Sequence, residues 1–299
     1  MSTIDDVIAL AATHGLHLSA RGATVNEAGL DYRVVMAFDA TGQRWVLRLP
    51  RRADVCEGMA AETRILDLVA PALAQEGVAV PDWRVRSPEL IAYPALPGAP
   101  GLTLTEAGEP DWHMDPASPD YAERLGRLLA RLHSITPEQA QAADVEVRTP
   151  NRVRQAWRDD IARVSEAFTV SPALTEAWRA WLEDDTCWPE QAVMTHGEIY
   201  PAHVLLDEQG AITGVLDWTT ARVDDPARDL SFQYGAAGEE MLRATLTAYE
   251  EAGGHAHPGL AAQARHLWDA SPIGYGLYAL TTGAQTDMAT AAAMLNPQA

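Results

Sequence analysis

The sequence is short of cysteine and of positive charge, and it has no long apolar run and no glycine-rich phosphate loop. Two cysteines, Cys56 and Cys187, in 299 residues are too few for a disulfide framework or a cysteine-based metal site. They read as two reduced thiols. Lys plus Arg number 22 against 42 Asp plus Glu, a formal net charge of -20. That balance argues against nucleic acid as a partner, because a phosphate backbone is held by clustered cations. It suits a cationic substrate, although a solvated acidic surface is its commoner meaning. No apolar stretch approaches the roughly 20 residues that cross a bilayer. The N-terminal "MSTIDDVIALAATHG" has no basic region, and its apolar core is too short for a secretion signal. A cytoplasmic chain with no membrane partner is expected. No Gly-x-Gly-x-x-Gly precedes Arg48; "NEAGLDYRVV" offers only Gly29.

What is present is ordinary globular material, 47% hydrophobic and 21% charged, long enough for one large domain or two lobes. Thr3 can cap a first helix whose apolar face is Ile4, Val7, Ile8 and Ala11, with Gly15 to end it. Two β-rich runs then flank "DATGQ", a hairpin turn. In "AAETRILDLVAPALAQ", Ile65, Leu66, Val69 and Leu73 fall at helical spacing. "DWRVRS" and "ELIAYPALPG" read as two more short strands. Residues 16–96 are therefore expected to form an antiparallel sheet interrupted by one helix. A Pro/Gly-rich loop from "ALPGAPG" to "MDPASPD" follows. After it, "YAERLGRLLARLHSI", "NRVRQAWRDDIARVSEAF" and "PALTEAWRAWLEDD" have helical periodicity, and the Ala- and Leu-rich tail is helical too. The class is α+β, with a sheet-rich first third and a helical remainder.

Chemistry concentrates in "HGEIYPAHVLLD", followed by "GVLDW". "HVLLD" and "GAITGVLDW" are expected to pair as a hairpin through "EQG", which sets His203 and Asp217 side by side. With Glu198 and His196 nearby in the chain, this is a set of hard and borderline donors. It suits Mg²⁺ held by one or two protein groups plus phosphate oxygens. Zinc fits poorly, since no third convincing ligand stands at the usual spacing. Taken singly, His196 reads better as a loop organiser than as a proton carrier. His203 stands evenly between a structural histidine and a metal or supporting role.

The same residues resemble the catalytic loop of the aminoglycoside phosphotransferase and protein-kinase-like superfamily, which runs His-Gly-Asp, four residues, Asn. His196 and Gly197 match, Glu198 stands at the catalytic carboxylate, His203 at the Asn position, and Asp217 at the metal-binding Asp. "VDDPARDL" resembles the Asp-Pro-x-x-Asp stretch that follows in that family, with Asp229 a structural brace. Arg222 and Arg228 read as local partners of Asp224 or Asp225 sooner than as phosphate contacts. "VNEAGLDYRVV", "RWVLRLPRR", "PDWRVRSPELIAYP", "RTP" at 148–150 and "ARVDDPA" look like the macrolide 2′-phosphotransferases within it. That subfamily also has His where others have Asn, but it keeps Asp where this chain has Glu198.

The resemblance implies a bilobal protein-kinase-like fold: a nucleotide-binding lobe over residues 1–96 and a helical catalytic and substrate lobe over 97–299. It places Arg48 where kinases keep a phosphate-binding lysine, with Glu62 on the next helix as its partner. Without it, an exposed strand arginine and a solvated glutamate would be the plainer reading. Tyr93, Pro94, Ala95 and Leu96 become a hinge whose backbone reads a purine edge. The implied donor is GTP, with ATP tolerated, alongside Mg²⁺; the implied acceptor is a macrolide, and the implied state a monomer. Trp268, Tyr275 and Tyr278 suit an apolar acceptor, though such aromatics more often fill cores. Two alternatives stand beside this reading: a kinase for another small hydroxylated amine or sugar, and a nucleotide-binding protein retired from catalysis by Glu198.

Overall fold

The computed structural model describes residues 3–27, 32–105 and 108–297, and for residues 53–57 the backbone alone. Gly29 and the Cys56 thiol lie outside the described residues. Helix α1 (Ile4–Thr13) leads into strands β1 (Leu18–Asn26), β2 (Tyr32–Asp39) and β3 (Arg44–Pro50). Helix α2 (Ala53–Leu73) precedes five short strands, β4 (Val85–Arg86), β5 (Ile91–Pro94), β6 (Ala99–Pro100), β7 (Leu102–Leu104) and β8 (Pro110–Trp112). Helices α3 (Pro119–His133), α4 (Pro137–Ala142), α5 (Pro150–Ala167) and α6 (Pro172–Glu183) come next. Strands β9 (Val193–Thr195), β10 (Val204–Leu206), β11 (Ile212–Val215) and β12 (Arg222–Asp224) follow. Last are α7 (Ser231–Glu251), α8 (Leu260–Asp269), α9 (Ser271–Thr282) and α10 (Gln285–Leu295).

Internal contacts divide the chain into two units: Met1–His113 with Pro201–Thr219, and Met114–Tyr200 with Thr220–Ala299. By packing, the first unit runs on to His113 and takes in the β10–β11 hairpin. Among the described residues no helix is long and apolar enough to cross a membrane.

In the first unit α1 opens on a capping box: the Thr3 hydroxyl accepts from the Asp6 amide at 3.2 Å, and the Asp6 carboxylate accepts from the Thr3 amide at 2.7 Å. The sheet runs β1-β2-β3-β5-β4, every pair antiparallel. Strand alternation gives it two unlike faces. Val35, Ala37, Leu47, Val85 and Ala92 pack with Val7 and Ala11 of α1 as a buried core. The opposite parity carries Tyr32, Arg48 and Tyr93, all buried. The Pro/Gly-rich stretch expected to be one loop is partly ordered as sheet. β6 pairs with β10, and β7 with β8.

The second unit is mainly helical. α3 to α6 each begin with a Ser or Thr cap, Ser118, Thr136, Thr149 and Ser171, followed by proline at the first helical position. The hydroxyl satisfies an amide that the helix leaves open, and proline gives up a donor not needed there. That signal also marks α4, which apolar periodicity did not reveal. The amphipathic α3 buries Leu125, Leu128, Leu129 and Leu132 and packs on α7.

Gly126 sets how closely α3 and α7 approach. A Cβ there would lie 2.4 Å from the Thr245 carbonyl oxygen and 2.8 Å from the Tyr249 amide nitrogen, both backbone atoms. Gly126→Ala should therefore destabilise the chain by about 1–3 kcal/mol, the usual cost of overpacking. Urea unfolding beside Gly274→Ala, where a Cβ meets nothing within 4 Å, checks this.

Candidate active site

Arg48 and Glu62 are buried, 8% and 2% exposed, with Nη1 and Oε1 3.2 Å apart. This rules out the plainer expectation of an exposed strand arginine and a solvated glutamate. The guanidinium also lies over the Tyr32 ring, 3.9 Å from its centroid. Burial works against its charge, but Glu62, Tyr93 and Asp217 more than offset that and hold Arg48 above its ordinary pKa. Arg48, Glu62 and the carboxylate at the end of the β10–β11 hairpin thus share one electrostatic environment. The Tyr93 phenol is pushed up to about 12 by burial.

Some of the backbone groups of residues 93–96 are already engaged within the sheet. The Ala95 amide donates to the Arg44 carbonyl at 2.8 Å, so it is already spent. Hydrogen-bonded and non-bonded pairs alternate along an antiparallel ladder, so the next bonded pair is Val46 with Tyr93. Tyr93 and Ala95 therefore turn their backbones to β3, while the Pro94 carbonyl and the Leu96 amide face away from it. Neither of these has a hydrogen-bond partner among the described residues. One acceptor and one donor are thus left open among the described residues.

The β10–β11 hairpin forms through Asp207 and Gly210, with the Asp207 carboxylate accepting from the Gln209 and Ala211 amides. It brings His203 and Asp217 together, as the spacing predicts. The His203 carbonyl accepts from the Leu216 amide at 2.8 Å, and Nε2 lies 3.8 Å from Asp217 Oδ2. Asp217 has a left-handed backbone, φ 59, and its carboxylate accepts from the Thr219 hydroxyl at 2.6 Å. No cluster of three or more His, Cys, Asp or Glu suited to a metal occurs among the described residues. The pair still fits Mg²⁺, which is commonly bound through one or two carboxylates with phosphates and water completing the shell.

In the second unit the loop carrying Glu198 is held from below. Asp229, buried, accepts from the His196 amide at 2.9 Å and the Gly197 amide at 2.7 Å. Its Oδ2 also meets His133 Nε2 at 3.1 Å, and His133 Nδ1 meets the Tyr249 hydroxyl at 3.1 Å. Burial alone would raise the Asp229 pKa; the His133 and His196 contacts and the Gly197 amide instead hold it below the usual range. His196 is itself buried, and its Nδ1 accepts from the Glu198 amide at 3.3 Å, so it organises the loop. Gly197 has φ 87, and a Cβ there would meet the Thr220 carbonyl at 2.8 Å. Only glycine fits. The Glu198 side chain is exposed.

Arg222 and Arg228 pair locally with Asp224, at 2.6 and 2.7 Å. Asp225 pairs instead with Gln263 at 2.6 Å. Sequence reasoning did not find His133, Tyr249, Thr220 or Gln263. His133 does stand in the last turn of α3, the one such signal available.

Phosphoryl transfer needs little covalent chemistry from a protein; it needs phosphates held, charge neutralised and a hydroxyl aligned. A buried strand cation, a carboxylate within its field and a braced acidic loop are parts of that kind, and they mark a kinase-like phosphotransferase. A profile of the phosphotransferase enzyme family matches residues 22–263, and the chain belongs to that family. It is similar to the crystal structure of macrolide 2′-phosphotransferase MphH from Brachybacterium faecium. Identity is 51% and TM-score 0.92, over 99% of this chain and 98% of that one. A solved macrolide 2′-phosphotransferase type I is 40% identical, TM-score 0.91, over 98% of each chain. The uncharacterised protein YcbJ of Bacillus subtilis strain 168 is 38% identical over 283 residues, 93% of this chain and 91% of its own.

Asp225 offers a test of how the "VDDPARDL" segment is seated. Burial pushes its pKa up to about 7, against the bonds from Gln263 and the Ala227 amide. A carboxyl that holds its proton more tightly when folded adds stability at low pH and loses it as pH rises towards about 7. From about pH 5 to about pH 8 the parent should lose stability relative to Asp225→Asn. His257 and His266, whose pKa values burial lowers, contribute to both proteins and cancel in the comparison. Parallel urea-derived stability profiles for the two would contradict this.

Proposed function

We propose that this chain transfers the γ-phosphate of GTP to the 2′-hydroxyl of the amino sugar of a macrolide antibiotic, acting as a cytoplasmic monomer. The observation that carries the substrate is the whole-chain likeness, at 51% identity, to an enzyme described as a macrolide 2′-phosphotransferase. In this reading Arg48, steadied by Glu62, takes two phosphate oxygens at once, which a guanidinium does and an ammonium does not. Asp217, supported by His203, would hold Mg²⁺. When bound, the metal neutralises phosphate charge. Glu198 orients the acceptor hydroxyl and takes its proton.

Backbone atoms at the hinge engage the purine: the Pro94 carbonyl as acceptor and the Leu96 amide as donor. Guanine and adenine both satisfy such a pair, so the choice of GTP rests on resemblance, and competition with ATP measures it. Macrolides are apolar with one cationic amine. An apolar surface is available in the aromatic run Tyr200, Phe232 and Trp268, with ring centroids 5.1 and 5.8 Å apart. Trp268 is 36% exposed. The direct experiment is a GTP-dependent gain of one phosphate on an erythromycin-type compound, read by mass; no gain across a macrolide panel would refute the substrate.

Two predictions follow from the assigned roles. Glu198→Gln keeps the shape and removes the base, so kcat should fall by about 100- to 10,000-fold. Glu198→Asp should raise kcat above the parent with little change in either KM. Parent-like turnover by Glu198→Gln would remove this residue from the chemistry. For Arg48, substitution by lysine keeps the charge but not the two-pronged geometry, and substitution by alanine removes the charge as well. Activity should decrease in the order parent, Arg48→Lys, Arg48→Ala, with the loss in KM for nucleotide; equal activities, corrected for folded fraction, would make Arg48 an ordinary strand residue.

A further inference from the structure

The second unit contains a cavity of about 240 Å³ lined by Arg148, Arg222, Arg228, Asp160, Trp157 and Gly197 among others. Three of its lining side chains are guanidiniums, and two are carboxylates, Asp160 and Asp224. Three guanidiniums share one buried carboxylate: Asp224 Oδ2 takes Arg222 Nε at 2.6 Å and Arg228 Nη1 at 2.7 Å, and lies 3.6 Å from Arg148 Nη1. Asp224 Oδ1 is occupied by the Asp225 amide at 2.8 Å. Burial raises the pKa of the second lining carboxylate, Asp160, against the pull of Arg148 and Arg163. Burial, then the neighbouring Arg228 and Arg148, lower the Arg222 pKa, and Asp224 does not make this good.

Donors are left over as well as charge. Arg222 donates through Nε, and neither of its terminal nitrogens has a protein acceptor among the described residues. Arg148 donates through Nε to Glu146 at 2.7 Å, and its Nη2 is likewise unclaimed. Partly buried guanidiniums with open forks, facing a polar cavity, match an oxyanion in geometry and charge. The volume far exceeds the roughly 10–15 Å³ that admits one water.

We propose that this cavity binds a small tetrahedral oxyanion, a phosphate group either free or at the end of a phosphate monoester, held by Arg222 and Arg148. The site is separate from Arg48, which lies in the other unit, and it does not depend on the acceptor proposed above.

The test is thermal unfolding of the nucleotide-free chain in phosphate-free buffer. Inorganic phosphate, glycerol 2-phosphate and chloride are added at matched ionic strength. A saturable rise in Tm with either phosphate compound, and none with chloride, is expected; the stronger of the two identifies the free ion or the monoester. Protection should persist in Arg48→Lys. It should weaken about tenfold or more in apparent affinity in Arg148→Gln, the loss of one charge-assisted bond. Arg148 is the most exposed of the three side chains, so this variant is expected to fold, and Arg222→Gln gives a second reading. Equal protection by chloride, no protection at all, undiminished protection in Arg148→Gln, or loss in Arg48→Lys alone would each overturn the proposal.

Discussion

A single buried carboxylate organises the helical unit's share of the chemistry. Asp229 accepts two consecutive backbone amides, His196 and Gly197, and a ring nitrogen of His133. A buried charge with no partners would cost several kcal/mol, so the three donors and the acid come as a set. The set joins chain positions nearly 100 residues apart, since His133 closes α3 and its other nitrogen meets Tyr249 on α7. Glycine at 197 is part of the same constraint, because the backbone turns with positive φ between Thr220 and Arg228. Loop position is therefore a property of the buried frame.

The sheet unit solves a different problem. It keeps a cation buried on a strand that is otherwise core. The whole sequence contains no lysine, so all of its fixed positive charge is guanidinium. Arginine holds its charge under burial that would discharge an ammonium. Glu62 supplies the opposite charge, the Tyr32 ring lies beneath, and strand parity keeps both away from the core against α1. Burial of the ion pair is therefore matched by opposite charge and an aromatic face within the same unit.

Local features of this fold were legible because the signals are local. The Thr3 box, the Asp39 turn and the apolar faces of α2 and α3 each lie within one or two turns of chain. The hairpin that joins His203 to Asp217 was legible for the same reason. Pairings at long range were not: β6 finds β10 across 100 residues, and Gln263 finds Asp225 from a different helix. Residues 93–96 show the limit most clearly: only the ladder register shows that the Ala95 amide is consumed while that of Leu96 is not. Burial of Arg48 was likewise invisible in composition, and it depended on which face α1 covers.

Glu198 can be weighed against this frame. Relative to aspartate its carboxylate stands one C–C bond farther out, roughly 1.5 Å. A loop free to slide could retreat by that amount and restore the position. This loop is not free on its N-terminal side: two amides are fixed on Asp229, Gly197 has no room for a Cβ, and the Glu198 amide is bonded to the His196 ring. On the C-terminal side Tyr200 packs on Phe232. The extra length must then be taken up by the side chain's own torsions, by folding back from a staggered extended form. Such a folded rotamer is one of several of similar energy. In the role proposed for Glu198, glutamate is less a displaced base than one that spends part of its time out of line, and positioning is what phosphoryl transfer depends on most.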